Sequence, residues 1–288
     1  MNILICSDGT AAGESAVRLG GILAAALHCE TTLLGIAENP SDQSTLQAVL
    51  QKQAELQPQP RIVVQSGDVI AQILAQTTSV RYDLVVIGAR PSPGAHWPSG
   101  KMYELVKTIE SPVLVAMGDC KRLKRILICT GGKEFIEKAV QFTGKLAAAL
   151  GASVTLLHVM LEPPSIYADL VRMEEDVPLL LESGSELGLN LAQQKKDLER
   201  LKVSASIRIR HGIVVDQVFA EFDEGDYDLI VTGSSRARGM LRHYIMGDLT
   251  RSILNRANCP VLVARGGKTA GPRGLFRTVR RWFSSNRE

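Results

Sequence analysis

At 288 residues the chain has room for two domains of ordinary size, each able to bury its own core. Its 45% hydrophobic and 22% charged content excludes a disordered chain, and no apolar run reaches the roughly 20 residues that cross a bilayer. The net charge of +3 is uneven: residues 266–288 hold six basic groups and one acid (6 − 1 = +5), which leaves −2 on the rest and excludes a generally basic nucleic-acid binder.

In chain order, β-rich runs alternate with helical periodicity. Strands are predicted over 2–7, 31–37, 61–65, 83–88 and 112–117, with helices over 12–28, 43–56, 68–79 and 101–109. The pattern then repeats. Strands are predicted over 125–130, 153–160, 203–210, 227–233 and 260–264, with helices over 133–150, 185–201, 214–223 and 247–256. Continuous Ile/Leu/Val runs suit parallel strands covered on both faces. Helix 133–150 carries Phe135, Ile136, Ala139, Val140, Leu146, Ala147 and Leu150 as one apolar stripe. Strand–helix alternation of this kind implies right-handed βαβ units, hence an α/β fold of two tandem doubly wound, Rossmann-like parallel sheets.

The repeat is explicit. Tyr82-Asp83-Leu84-Val85-Val86-Ile87-Gly88 returns as Tyr227-Asp228-Leu229-Ile230-Val231-Thr232-Gly233, an offset of 227 − 82 = 145. Ile3-Leu4-Ile5-Cys6 returns as Ile126-Leu127-Ile128-Cys129, and Pro112-Val113-Leu114-Val115-Ala116 as Pro260-Val261-Leu262-Val263-Ala264. The first offset is 123 and the last 148, so about 22 extra residues fall between the second and third strands of the second half. That segment, 161–190, reads as a surface excursion, with a binding lid as the alternative. The expected divisions are a domain over 1–119, a domain over 124–265 and a basic tail over 266–288.

The five cysteines form no CxxC pair, and Cys6 and Cys129 occupy matching strand positions, so buried structural thiols are expected. The N-terminus has no signal-peptide pattern, and the expected location is cytoplasmic. No Ser/His/Asp or Cys/His set recurs in the two halves. No catalytic residue and no metal site is expected. His158 is expected to be a packed core histidine.

Ligands on open parallel sheets bind beyond the carboxyl ends of the strands. The second-half loop there reads Gly233-Ser234-Ser235-Arg236-Ala237-Arg238-Gly239 and leads to Gly247-Asp248. With the opening Ile-Leu-Ile-Cys-Ser-Asp-Gly, the Leu-Leu-His-Val run and the closing Cys-Pro-Val-Leu-Val, the chain resembles the universal stress protein family over nearly all of residues 1–265. The resemblance implies a pseudo-dimer joined through the final strands, further self-association, and a non-enzymatic role in stress response. In nucleotide-binding members, a loop G-x2-G-x9-G-[ST] wraps the ATP phosphates, an aspartate after strand one contacts adenosine, and an apolar residue ending strand two lies beside adenine.

Carried across residue by residue, the match is divided. The first half keeps Asp8, Gly9, Ile36 and Gly88, but Pro91, Pro93 and Pro98 each remove an amide donor from its loop. The second half keeps Val159, Gly233, Gly239 and Gly247. It has Gly131 in place of the aspartate, Arg236 where the motif's second glycine belongs, and Asp248 in place of the hydroxyl. A carboxylate opening a helix competes for the amides that would hold phosphate. Arg238, Arg242 and Arg251 lie on or near this loop. Degenerate sites with no required cofactor are therefore expected, and an ATP/AMP-binding switch using one half is the alternative.

In the tail, Leu275, Phe276, Val279, Trp282 and Phe283 share one helical face, with Arg277, Arg280 and Arg281 opposite. This pattern suits a membrane surface at the inner face or a protein partner. Docking on the chain's own body and a solubilising tail stay open.

Overall fold

The computed structural model describes residues 1–54, 59–89, 99–130, 133–160, 176–234 and 243–265. The first half holds β1 (Asn2–Ser7), α1 (Ala11–Leu27), β2 (Glu30–Ala37), α2 (Gln43–Gln53), β3 (Arg61–Ser66), α3 (Val69–Ser79), β4 (Leu84–Gly88), α4 (Ser99–Thr108) and β5 (Val113–Ala116). The second holds β6 (Arg125–Thr130), α5 (Lys133–Leu150), β7 (Ser153–Met160), α6 (Val177–Glu182), α7 (Glu186–Arg200), β8 (Ala205–His211), α8 (Val214–Gly225), β9 (Leu229–Ser234), α9 (His243–Arg256) and β10 (Val261–Arg265).

All ten strands form one sheet in the order β3-β2-β1-β4-β5-β10-β9-β6-β7-β8. Each half runs third, second, first, fourth, fifth, and every pairing within a half is parallel. The halves meet where β5 and β10 pair antiparallel, with Val113 opposite Val263 and Val115 opposite Val261. This is the expected pseudo-dimer. The Ile/Leu/Val runs are buried on both faces, as parallel strands require. One core layer lies under α1, α2, α5 and α7 and includes Ile3, Ile5, Leu50, Ile126, Ile128 and Leu198. The other lies under α3, α4, α8 and α9 and includes Leu4, Val85, Leu105, Leu127, Phe219 and Ile253. Each fully buried Leu or Ile contributes about 1.5–3 kcal/mol relative to exposure.

The repeated Tyr-Asp-Leu motif has a structural cause. Both strands start at the Leu, one or two residues later than the pattern predicts. Ahead of them, Asp83 accepts the Asn2 N–H at 2.8 Å. Asp228 accepts the Lys124 and Arg125 N–H groups at 2.7 and 3.0 Å. Each carboxylate thus satisfies donors where the neighbouring first strand begins, and fixes its register. Both tyrosine rings are buried, and their hydroxyls join matching networks of opposite character. In the first half, Gln76 Nε2 donates to the Tyr82 hydroxyl at 2.7 Å, and Gln65 Nε2 to Gln76 Oε1 at 3.5 Å. In the second half the corresponding positions are ionic. The Tyr227 hydroxyl donates to Glu221 Oε1 at 2.9 Å, and Arg210 Nε to Glu221 Oε2 at 2.7 Å.

Two expectations are corrected. The stretch 161–190 is not all excursion: Val177–Glu182 is a helix capped by Asp176, whose carboxylate accepts the Leu179 N–H at 3.1 Å. Leu180 is buried, and Gly188 lets α7 approach its carbonyl, since an added β-carbon would stand 2.3 Å from it. Residues 161–175 lie outside the described residues. The final helix also starts at His243 rather than 247. Gly247 lies inside it, where one glycine costs only about 1 kcal/mol.

Candidate functional site

The carboxyl edge of the first-half sheet is built on Ser7, Asp8 and Gly9. Ser7 is buried, donates from Oγ to Gln53 Oε1 at 3.0 Å, and accepts the Gly9 N–H at 3.2 Å. Exposed Asp8 uses Oδ1 to accept the Thr10 N–H at 2.9 Å and the Thr10 hydroxyl at 2.6 Å, shaping the turn into α1. Among the described residues no hydrogen bond reaches its Oδ2. Gly9 has φ +78°, a left-handed conformation that favours glycine.

The ground beside Asp8 is covered by the chain itself. A β-carbon on Gly9 would lie 3.1 Å from Val49 and 3.4 Å from Leu46, and one on Gly35 would lie 2.4 Å from Leu50 and 3.1 Å from Leu46. Leu46 therefore sits against both glycines, and α2 roofs the ends of β1 and β2. Ile36 belongs to the opposite core layer, the one that holds Ile73 of α3. Gly88 has a packing role: a β-carbon there would stand 2.1 Å from the Ala12 carbonyl oxygen. Its bareness lets β4 end against the first turn of α1.

The second half places different groups at the corresponding edge. Thr130 stands where Ser7 stands, and its hydroxyl donates to the Leu157 carbonyl at 3.0 Å. His158 corresponds to Gly35 (158 − 123 = 35) and is half-buried at the rim, not packed in the core as expected. Its Nδ1 lies 3.1 Å from the Thr130 carbonyl and 3.2 Å from the Thr130 hydroxyl. A carbonyl can only accept, so Nδ1 carries the proton and Nε2 is left as an acceptor. Burial lowers the His158 pKa below the usual 6.5, and nearby His211 adds to the effect. Comparing the copies position by position, histidine against glycine, was the signal that could have found this group.

Val159 is half-buried against the core layer under α8. Gly233 is buried in β9 opposite Ala264. Next to it, the hydroxyls of Thr232 and Thr250 lie 3.3 Å apart and tie β9 to α9. Gly247 and Asp248 are the fifth and sixth residues of α9, so the reading of Asp248 at the helix start is corrected: the first turn is His243–Met246. The Arg251 guanidinium lies 6.0 Å from the ring centre of Tyr103 in the first half. Arg236, Arg238, Gly239 and Arg242 lie outside the described residues, as do Phe276, Arg277, Arg280, Arg281, Trp282 and Phe283. The structure thus brings Asp8, Gly9 and Gly88 to one edge, and Val159 and Gly233 to another.

The cysteines are free. Burial pushes Cys6, Cys129 and Cys259 up to about 12, as expected of structural thiols. No cluster of His, Cys, Asp or Glu fit to hold a metal occurs among the described residues. No helix among them is long and apolar enough to cross a membrane.

One sheet made of two parallel halves, each with its switch point at the first strand and joined through their fifth strands, defines a doubly wound α/β protein. The sequence profile of the universal stress protein family matches residues 122–265, half of the chain, and the chain belongs to that family. Among curated relatives, universal stress protein MJ0531 of Methanocaldococcus jannaschii is 26% identical over 146 residues, covering 50% of this chain and 84% of that protein. Among solved structures, a universal stress protein from Archaeoglobus fulgidus superposes with a TM-score of 0.65 at 15% identity, covering 93% of this chain and 97% of its own. A functionally unknown protein from Pseudomonas aeruginosa gives 0.64 at 14% identity, over 91% of this chain and 92% of that one. At such identities these two show the fold. They span both halves, including the first, which the profile does not reach.

Proposed function

We propose that this is a tandem universal stress protein that acts by binding rather than catalysis, with two units over 1–119 and 124–265 whose nucleotide sites have degenerated. The observation that carries this reading is Leu46 of α2, packed against both Gly9 and Gly35. Gly9, next to the aspartate that resemblance assigns to adenosine, faces the apolar side chains of Leu46 and Val49. The second half has no carboxylate at that position, and His158 occupies the neighbouring strand end. Five free thiols suit work in a reducing cytoplasm. The experiment is release of bound nucleotide on denaturation, read by mass spectrometry, with a thermal shift in Mg-ATP. A ligand at 100 times its Kd stabilises the folded state by about 2.7 kcal/mol, a readily measured shift. The expected result is no released nucleotide and no shift at millimolar ATP.

One observation favours a second reading, a nucleotide-responsive switch in the first half: Asp8 is exposed and keeps Oδ2 free. This reading requires α2 to move. A thermal shift with ATP that is lost in Asp8→Asn would establish it and remove the first.

A further inference from the structure

The amino edge of the first half, opposite to the strand ends that carry Asp8, contains a cavity of about 960 Å³. It is lined where β1, β2 and β3 begin, by Asn2, Glu30, Thr31 and Arg61, and by Tyr82 just ahead of β4. Small-molecule sites occupy roughly 300–1,000 Å³, so this one is at the roomy end. Val63 and Val80 supply apolar wall, and Val80 is a large apolar side chain left exposed.

The second half closes the matching place with its own side chains. Strand register maps Asn2 to Arg125, Thr32 to Thr155 and Arg61 to Ser206, and the repeat maps Tyr82 to Tyr227. There the Arg125 guanidinium lies 5.5 Å from the Tyr227 ring centre, the Thr155 and Ser206 hydroxyls lie 2.9 Å apart, and the Tyr227 hydroxyl donates to Glu221. In the first half none of these closures is made. Asn2 brings no cation over Tyr82. The Tyr82 hydroxyl accepts from Gln76, and among the described residues its own proton has no acceptor. The Thr31 hydroxyl is buried without a hydrogen-bond partner. The exposed side chains of Glu30 and Arg61 have neither an ion pair nor a hydrogen bond among the described residues. Polar groups left unspent around one cavity mark where a ligand would complete them.

The spacing of the two charges selects the ligand. Arg61 stands opposite Thr32, so Glu30 lies one strand across and two residues along, a Cα separation of about 8 Å. An extended dipeptide spans about 7 Å. It offers an ammonium, a carboxylate, an amide and two side chains. These complement Glu30, Arg61, the hydroxyls of Thr31 and Tyr82, and the wall of Val63 and Val80. An amphipathic anion would leave Glu30 unmatched beside a second negative charge. We propose that this cavity binds a short apolar peptide of dipeptide length as its zwitterion, with the carboxylate on Arg61 and the ammonium on Glu30. The site is at the edge remote from Asp8 and does not rest on the nucleotide reading.

The test is isothermal titration of the full chain with the dipeptide leucyl-phenylalanine. Saturable one-to-one binding is expected by millimolar peptide. Acetylating its amino end or amidating its carboxyl end is expected to weaken binding about tenfold or more, the scale of one charge-assisted hydrogen bond. Arg61→Gln and Glu30→Gln, both at exposed positions, are expected to weaken the free dipeptide equally. R61Q is expected to cost nothing further with the amidated form, nor E30Q with the acetylated one. Asn2→Arg installs the residue that covers the tyrosine in the second half, and is expected to abolish binding with the melting temperature unchanged. The proposal is overturned by no saturable binding, by blocked peptides that bind as well as the free one, or by unchanged binding in R61Q and E30Q. Unchanged binding in N2R also overturns it. So does octanoate binding as tightly as the dipeptide and indifferent to E30Q, which indicates a site for amphipathic anions.

Discussion

The paired tyrosine networks make a quantitative prediction. Glu221 is 7% exposed at its side chain and is held by Arg210 at 2.7 Å, by the Tyr227 hydroxyl, and weakly by Arg208 at 3.9 Å. Replacing Arg210 by Gln, its first-half counterpart, leaves a buried carboxylate without its main partner. Removing one member of a buried pair costs about 3–5 kcal/mol. Arg208 remains, itself 67% exposed, so the lower end near 3 kcal/mol is expected. The lost contact from Arg210 to Glu224 adds little, because Glu224 is 66% exposed. Adding Glu221→Gln rebuilds the neutral arrangement of Gln65, Gln76 and Tyr82 on the same backbone positions. The double variant is expected within about 1 kcal/mol of the parent, a coupling of at least about 2 kcal/mol in magnitude once the cost of the Glu221→Gln single variant is included. Urea unfolding of the parent, both single variants and the double closes the cycle, with slope as well as midpoint compared. If R210Q costs under about 0.5 kcal/mol, or if the two effects simply add, the equivalence of the networks is wrong.

Gly88→Ala places a β-carbon about 2 Å from the Ala12 carbonyl oxygen, so the end of β4 must move off α1. A loss of about 1–3 kcal/mol is expected by urea unfolding, and an unchanged midpoint would refute the packing role. For His158, burial lowers the folded pKa below 6.5, so the neutral ring stabilises the fold above that pH. This stability is lost as pH falls from 6.5 through the folded value. His158→Gln is expected to flatten the decline in melting temperature over that window, and an identical decline would count against the assignment.

The fold was legible because duplication states it twice. Two copies of one hydrophobic pattern in the same order fix the strands, and the resemblance then supplies the joint at β5 and β10. The site was less legible, for physical reasons. Gly88 read as a place for phosphate, whereas its bareness serves the Ala12 carbonyl, a contact no local pattern reveals. Asp8 was found, but the side chains against the neighbouring Gly9 are Leu46 and Val49, some forty residues later in sequence. His158 sits in an apolar run and looked like core. Only its place at the last turns of the strand, where burial falls away, makes it available. The last helix is expected at 247 because the preceding loop matches a glycine motif, yet it begins at His243 and takes Gly247 into its second turn.

The antiparallel join of β5 to β10 has a consequence for how such a protein can change. In a symmetric dimer of identical chains, every substitution occurs twice, and a change tolerable on one side must be tolerable on both. Here the two sides share one polypeptide but not one sequence, so each is altered singly. Glutamine in one half stands where glutamate stands in the other, and glycine where histidine stands. Covalent linkage keeps the unequal sides paired one to one at any concentration, which lets one side hold the architecture while the other drifts towards a different ligand.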